Sequence, residues 1–228
     1  FFIEKRQFTF LLIGALTLGG VFSAVTITKE SSPEVQIPVG IVSTVLPGAS
    51  AEDLIPLASE IGLDGARWIF PQGPLNFPSV PGGRQWFELQ DRAAEGLATA
   101  RNHILALLSA LEAQGQTPSQ TALLGFSQGA ALALDVCLRG ARNLGACASL
   151  SGLLPPGPLP EAGARLPSFF LGHGLLDDIL PIQGSRDASA HLRALGAAVT
   201  FKEYPMGHSI CSEEAADLRA FFSKPLFL

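Results

Sequence analysis

In this 228-residue chain, Gly125-Phe126-Ser127-Gln128-Gly129 is the stretch best suited to covalent chemistry. A serine hydroxyl is a weak nucleophile until a base stands beside it. The two flanking glycines lack a Cβ, which suits a very tight turn from strand to helix. Such a turn holds the hydroxyl clear of the sheet. It also points the Gln128 amide at a developing oxyanion, helped by the helix N-terminus. Four histidines compete for the role of base. His103 falls in a long amphipathic helix and His191 in a later one, where surface or packing roles are usual. His173 precedes Gly174 and reads as a turn residue. His208, in Tyr204-Pro205-Met206-Gly207-His208-Ser209, falls between the last strand and the last helix and is the best base. A base of this kind needs a carboxylate to set its tautomer. Asp177 and Asp178 both follow a strand, within His173-Gly174-Leu175-Leu176-Asp177-Asp178-Ile179-Leu180-Pro181. One is expected to face the histidine and the other to be solvated or to cap a turn. The chemistry of such a set is acyl transfer through a covalent acyl-serine.

These residues need elements to position them. Val39 to Val45 is a short apolar run that reads as a buried strand. Ala51 to Ile61 reads as a helix, with Ser50 as its N-cap. Arg67 to Phe70 reads as a brief strand. Pro71 to Trp86 holds four prolines and three glycines and reads as a long loop. Loops of that length in a compact domain are usually functional. Apolar residues from Leu89 to Leu111 recur at spacings of three and four and predict a helix to about Gln114. Strands are then expected over 121–126, 145–151, 168–171 and 199–204, and helices over 128–138, 187–195 and 213–222. Strands alternating with helices imply a parallel sheet covered on both faces. The site of such folds lies at the carboxyl ends of the strands. Ser127, the Asp177/Asp178 pair and His208 each follow a different strand, in the chain order of α/β-hydrolases.

With those segments in view, the sequence resembles the phospholipase/carboxylesterase family of α/β-hydrolases, which includes bacterial carboxylesterases and acyl-protein thioesterases. The matching segments are Ala49 to Leu54, Phe70 to Pro74, Gly82 to Phe87, Gly125 to Ala130, His173 to Pro181 and Tyr204 to His208. The resemblance implies an α/β-hydrolase fold with a mostly parallel central sheet and helices on both faces. It implies a triad of Ser127, Asp177 and His208, because the family's HG-x-x-D pattern falls on Asp177. It also implies hydrolysis of carboxylic esters, lysophospholipids or acyl thioesters without a metal or cofactor. The expected activity is that of a serine carboxylesterase on short- to medium-chain esters. The alternatives are an acyl-protein thioesterase or lysophospholipase, a peptidase on the same fold, or a weakly active hydrolase-fold binding protein. Leu75, Trp86 and Phe87 are candidates for the acyl side, with packing of that loop onto the core the equal alternative.

One segment departs from the family. Where it places Leu-His-Gly-x-Gly, this chain has Val45-Leu46-Pro47-Gly48. Pro47 takes the position of the second oxyanion donor and has no N–H. Loss of one such donor costs on the order of 10²–10³ in rate. Either Leu46, Gly48 or Ala49 donates instead, or activity is reduced.

Composition narrows the partners. With 47% hydrophobic and 15% charged residues, the chain can bury a sizeable core. A net charge of −5 and the lack of a Lys/Arg cluster exclude nucleic acid as a natural partner. Cys137, Cys147 and Cys211 show no metal-ligand spacing and read as packed thiols. The catalytic domain is expected over 37–228. Residues 1–36 read as a hairpin on the domain edge, which favours a cytoplasmic location. Lys5 and Arg6 before the uncharged run Phe8 to Thr26 suit an export or anchor segment instead. A homodimer and contact with a membrane both stay open on the sequence.

Overall fold

A computed structural model describes residues 39–45, 54–88 and 93–223. The expected hairpin or export segment, Ser50 as an N-cap, and the stretch around Pro47 and Gly48 lie outside the described residues.

Among the described residues, six parallel strands form the central sheet in the order β2-β1-β5-β6-β7-β8. They are β1 (Val39–Val45), β2 (Arg67–Ile69), β5 (Thr121–Ser127), β6 (Ala146–Leu150), β7 (Ser168–Gly174) and β8 (Val199–Tyr204). The helices are α1 (Ile55–Ile61), α2 (Ala93–Ala113), α3 (Gln128–Arg139), α4 (Gln183–Ala194) and α5 (Ser212–Phe222). A parallel strand shows successive side chains to opposite faces, so a strand covered on both sides must be apolar throughout. β5 illustrates this. Leu123 packs with α2 and α3, while Ala122, Leu124 and Phe126 pack with α1 and α5. In β7, Phe169 and Leu171 take the first face and Phe170 the second. Two hydrophobic layers therefore clamp the middle strands, and the strand ends stay in register.

Two expectations need correction. The Pro71–Trp86 stretch is not a structureless loop. It contains a small antiparallel pair, β3 (Leu75–Asn76) with β4 (Arg84–Gln85). Arg84 holds it closed by donating to the Gly73 carbonyl at 2.9 Å and the Pro74 carbonyl at 3.2 Å. β7 also runs three residues past Leu171. Gly172, His173 and Gly174 pair with Lys202, Glu203 and Tyr204 of β8. His173 is therefore a strand residue and not part of a turn.

One buried group has a consequence for stability. The Glu214 side chain, in the first turn of α5, is wholly buried, and neither carboxyl oxygen has a hydrogen-bond partner. Burial, with a smaller contribution from the Asp217 charge, pushes its carboxyl up to about 8. An unfolded glutamate titrates near ~4.3. Between those values the folded chain holds a proton that the unfolded chain has lost, so stability falls as pH rises through that window. Urea titrations from pH 5 to 8 are expected to show this decline, levelling off above 8. In Glu214→Gln the contribution of this group vanishes and the pH slope flattens; an unchanged slope would assign the dependence elsewhere.

Candidate active site

Ser127 closes β5 and caps α3 at φ 55° and ψ −118°. Few non-glycine residues take a positive φ, and the strain persists only where the surroundings enforce it. Here the enforcing contact is Gly125 against the first turn of α3. A Cβ on Gly125 would stand 2.1 Å from the Gly129 carbonyl oxygen. Only glycine lets the strand and helix approach this closely. As the first residue of α3, Gln128 has an N–H with no helical acceptor. Its side chain reaches the other way. Gln128 Oε1 accepts from the Trp86 N–H at 2.8 Å, and Nε2 donates to the Phe87 carbonyl at 2.7 Å. The turn that presents the serine thus also fixes the stretch that follows β4.

His208 Nε2 lies 2.9 Å from Ser127 Oγ, and Nδ1 lies 2.7 Å from Asp177 Oδ2. The ionised carboxylate has no proton to give, so Nδ1–H donates to it and Nε2 accepts from the serine hydroxyl. The Phe126 ring, 4.8 Å from the imidazole centre, supports one side of it. Asp177 Oδ1 accepts from the amides of Leu180 (2.8 Å) and Ile179 (3.0 Å). Burial alone would raise the Asp177 carboxyl. The Leu180 amide, the His208 hydrogen bond and charge, and the Ile179 amide outweigh it and hold the group below the ordinary carboxylate range. Asp178 is exposed.

The loops carrying acid and base touch through backbone. Leu175 N–H donates to the Tyr204 carbonyl at 2.8 Å, and Leu176 N–H to the Met206 carbonyl at 2.9 Å. A Cβ on Gly174 would lie 2.3 Å from the Gly207 oxygen. The β7–β8 ladder is in effect extended to the two reactive side chains.

Sequence reasoning missed His173. Its ring is wholly buried. Nε2 faces the Leu180 carbonyl at 2.8 Å and Asp177 Oδ2 at 3.2 Å. Both are acceptors, so Nε2 carries a proton. The Ser185 hydroxyl meets Nδ1 at 2.7 Å and donates to the Gly152 carbonyl at 2.7 Å. His173 therefore pins Leu180, whose amide in turn holds Asp177. The signal available in the sequence was the His-Gly pair three residues before the acid. His103 and His191 are exposed on α2 and α4.

Beside Ser127 opens a cavity of about 240 Å³ with an apolar wall that includes Phe77, Phe87, Leu97, Leu153 and Pro156. Among the three acyl-side candidates, Phe87 lines it. The Trp86 side chain is buried in the core with α2 and α3, and Leu75 is exposed on β3. Neither is among the lining residues. Among the described residues, no group of three or more His, Cys, Asp or Glu could hold a metal ion, and no helix is long and apolar enough to cross a membrane.

A family model described as Phospholipase/Carboxylesterase matches residues 48–226. Carboxylesterase SOBER1 of Arabidopsis thaliana is 28% identical over 181 residues, covering 72% of this chain and 79% of the relative. Acyl-protein thioesterase 1 of Kluyveromyces lactis is 32% identical over 180 residues, covering 71% and 79%. The crystal structure of esterase PE8 superposes with a TM-score of 0.68 at 30% identity, covering 81% of this chain and 91% of that one.

The His173 cluster yields a test independent of chemistry. His173→Ala leaves the Leu180 carbonyl without its donor and empties the space of a wholly buried ring, while the Ser185 hydroxyl keeps the Gly152 carbonyl. A loss of about 1–3 kcal/mol in unfolding free energy is expected by urea denaturation; a loss below ~0.5 kcal/mol would show that the ring pins nothing.

Proposed function

Because the chain belongs to the phospholipase/carboxylesterase family of α/β-hydrolases, we propose that it is a serine carboxylesterase acting on short- to medium-chain esters. The observation that carries this reading is the unbroken chain of hydrogen bonds from Ser127 through His208 to Asp177. Ser127 Oγ attacks the acyl carbonyl while His208 Nε2 takes its proton. Asp177 keeps the imidazole in the required tautomer and stabilises the imidazolium that forms. The Gln128 amide holds one side of the oxyanion at the start of α3. The candidates for a second amide, Leu46, Gly48 and Ala49, lie outside the described residues, and Pro47 has no N–H to offer. His208 then protonates the leaving alcohol, and water admitted to the same base releases the acid. The apolar cavity beside Ser127 takes the acyl chain, with Phe87 on its wall.

Thioester hydrolysis is the second reading, favoured by the similarity to an acyl-protein thioesterase. It uses the same tetrahedral intermediate with a thiol as leaving group. Turnover of matched butyryl ester and butyryl thioester substrates separates the two.

With p-nitrophenyl acetate and butyrate, Ser127→Ala is expected to lower kcat by on the order of 10⁴ or more. Persistent hydrolysis in that variant would sink the serine mechanism. Asp177→Asn is expected to cost on the order of 10³–10⁴, through the wrong tautomer of His208. Asp178→Asn, at an exposed position, is expected to stay within about threefold of the parent; the reverse ranking would reassign the acid.

A further inference from the structure

The segment after β6 lends Leu153, Pro155 and Pro156 to the cavity beside Ser127. It reads Gly152-Leu153-Leu154-Pro155-Pro156-Gly157-Pro158-Leu159-Pro160. Its four prolines have no N–H, so the segment is poor in donors for its own carbonyls. A donor from outside can hold those oxygens. Arg139, the last residue of α3, does so. Its Nε donates to the Pro158 carbonyl at 2.9 Å and its Nη2 to the Pro155 carbonyl at 3.1 Å. Gly157 lies between them at φ 135°, and a Cβ there would stand 3.1 Å from Nη2. The guanidinium is seated against the backbone of the segment.

The third edge of Arg139 fixes its direction. Nη1 pairs with the Asp135 carboxylate one helical turn earlier. Asp135 is 1% exposed, and its other oxygen accepts from Arg101 Nη1 of α2 at 2.7 Å. Arg139 itself is 10% exposed. Charge-assisted bonds to a buried carboxylate hold geometry strongly, and a planar fork loses little freedom in making them. The lattice runs from α2 to α3 to the proline-rich wall. The same α3 begins with Gln128 behind the nucleophile. Distance from Ser127 to wall is thereby tied to one helix.

We infer that Arg139 is a positioning residue for acyl specificity: by holding the Pro155 and Pro158 carbonyls it sets the Leu153–Pro156 wall, and so the acyl length that the cavity accepts. This rests on the reading of Ser127 and its cavity as an ester site. A shift of the wall changes how many methylenes find contact and leaves the triad where it is.

Arg139→Lys keeps a positive charge beside Asp135 but cannot span two carbonyls with a planar fork. Its kinetics on p-nitrophenyl acetate and hexanoate test the inference. The hexanoate-to-acetate ratio of kcat/KM is expected to fall about tenfold, the scale of a methylene's worth of contact in an apolar pocket. The change is expected chiefly in KM for hexanoate, whereas general loosening of the fold would lower both substrates together. Asp135→Asn removes the charge that aims the guanidinium and is expected to move the ratio in the same direction. Should one variant fail to fold by circular dichroism, the other decides. An unchanged ratio in a folded variant overturns the inference. Ser127→Ala, run alongside, separates the two levels: hydrolysis surviving in it removes the ester-site reading, whereas its loss with an unchanged ratio removes only the role of Arg139.

Discussion

The contact between Gly125 and the Gly129 carbonyl is the constraint on which the site depends. A 2.1 Å approach to any added Cβ leaves room for hydrogen alone. It brings the end of β5 directly onto the start of α3 and forces Ser127 to φ 55°. Strain of that kind costs about 1–3 kcal/mol. It is sustained because β5 is buried along its whole length between β1 and β6, and α3 is buried from Gln128 to Leu138. β5 cannot yield without opening both hydrophobic layers, and α3 cannot yield without opening the one it shares with α2. The serine hydroxyl, the Gln128 amide and the Gln128 side chain consequently share one rigid origin.

Acid and base are placed by a different device. Neither sits in strained backbone. Each follows a neighbouring parallel strand, and the pairing of β7 with β8 continues as loop-to-loop hydrogen bonds up to Leu176 and Met206. Gly174 permits the loops to touch. His173 adds a second pin, holding Leu180 by its carbonyl while Asp177 holds it by its amide. The carboxylate then has a fixed orientation before any substrate arrives, and the cost of ordering it is met on folding rather than during reaction.

Much of this is legible in the sequence, for physical reasons that also mark its limit. β5, β6 and β7 read as short apolar runs because burial on both faces demands it. Ser127, Asp177 and His208 can be found because each stands next to a strand end in a recognisable order. His173 was read as a turn residue because His-Gly before a loop has that look. What a sequence does not carry is the register that pairs it with Glu203 of β8. Trp86 stands as an acyl-side candidate with packing onto the core the equal alternative, and it takes the second, since a ring that large gains most from burial. Phe87, one residue on, lines the cavity instead. The wall at Leu153–Pro156 and the clamp at Arg139 depend on contacts between residues about 16 to 34 apart in the chain, with no local pattern to reveal them.

The two sides of the site are therefore held by bonds of different kinds, and this difference has a functional meaning. On the reactive side, backbone ladders and glycine contacts fix Ser127, Asp177 and His208. Apart from the His173 ring behind Asp177, the donors and acceptors of those supports are peptide groups, which side-chain substitutions elsewhere leave in place. On the acyl side, the Phe87 segment hangs from the amide of Gln128, and the proline-rich wall hangs from the guanidinium of Arg139. Supports made by side chains change with a single residue. A fold built this way can alter the length and shape of the acyl group it accepts while the hydrogen bonds from Ser127 to His208 and from His208 to Asp177 stay at 2.9 and 2.7 Å.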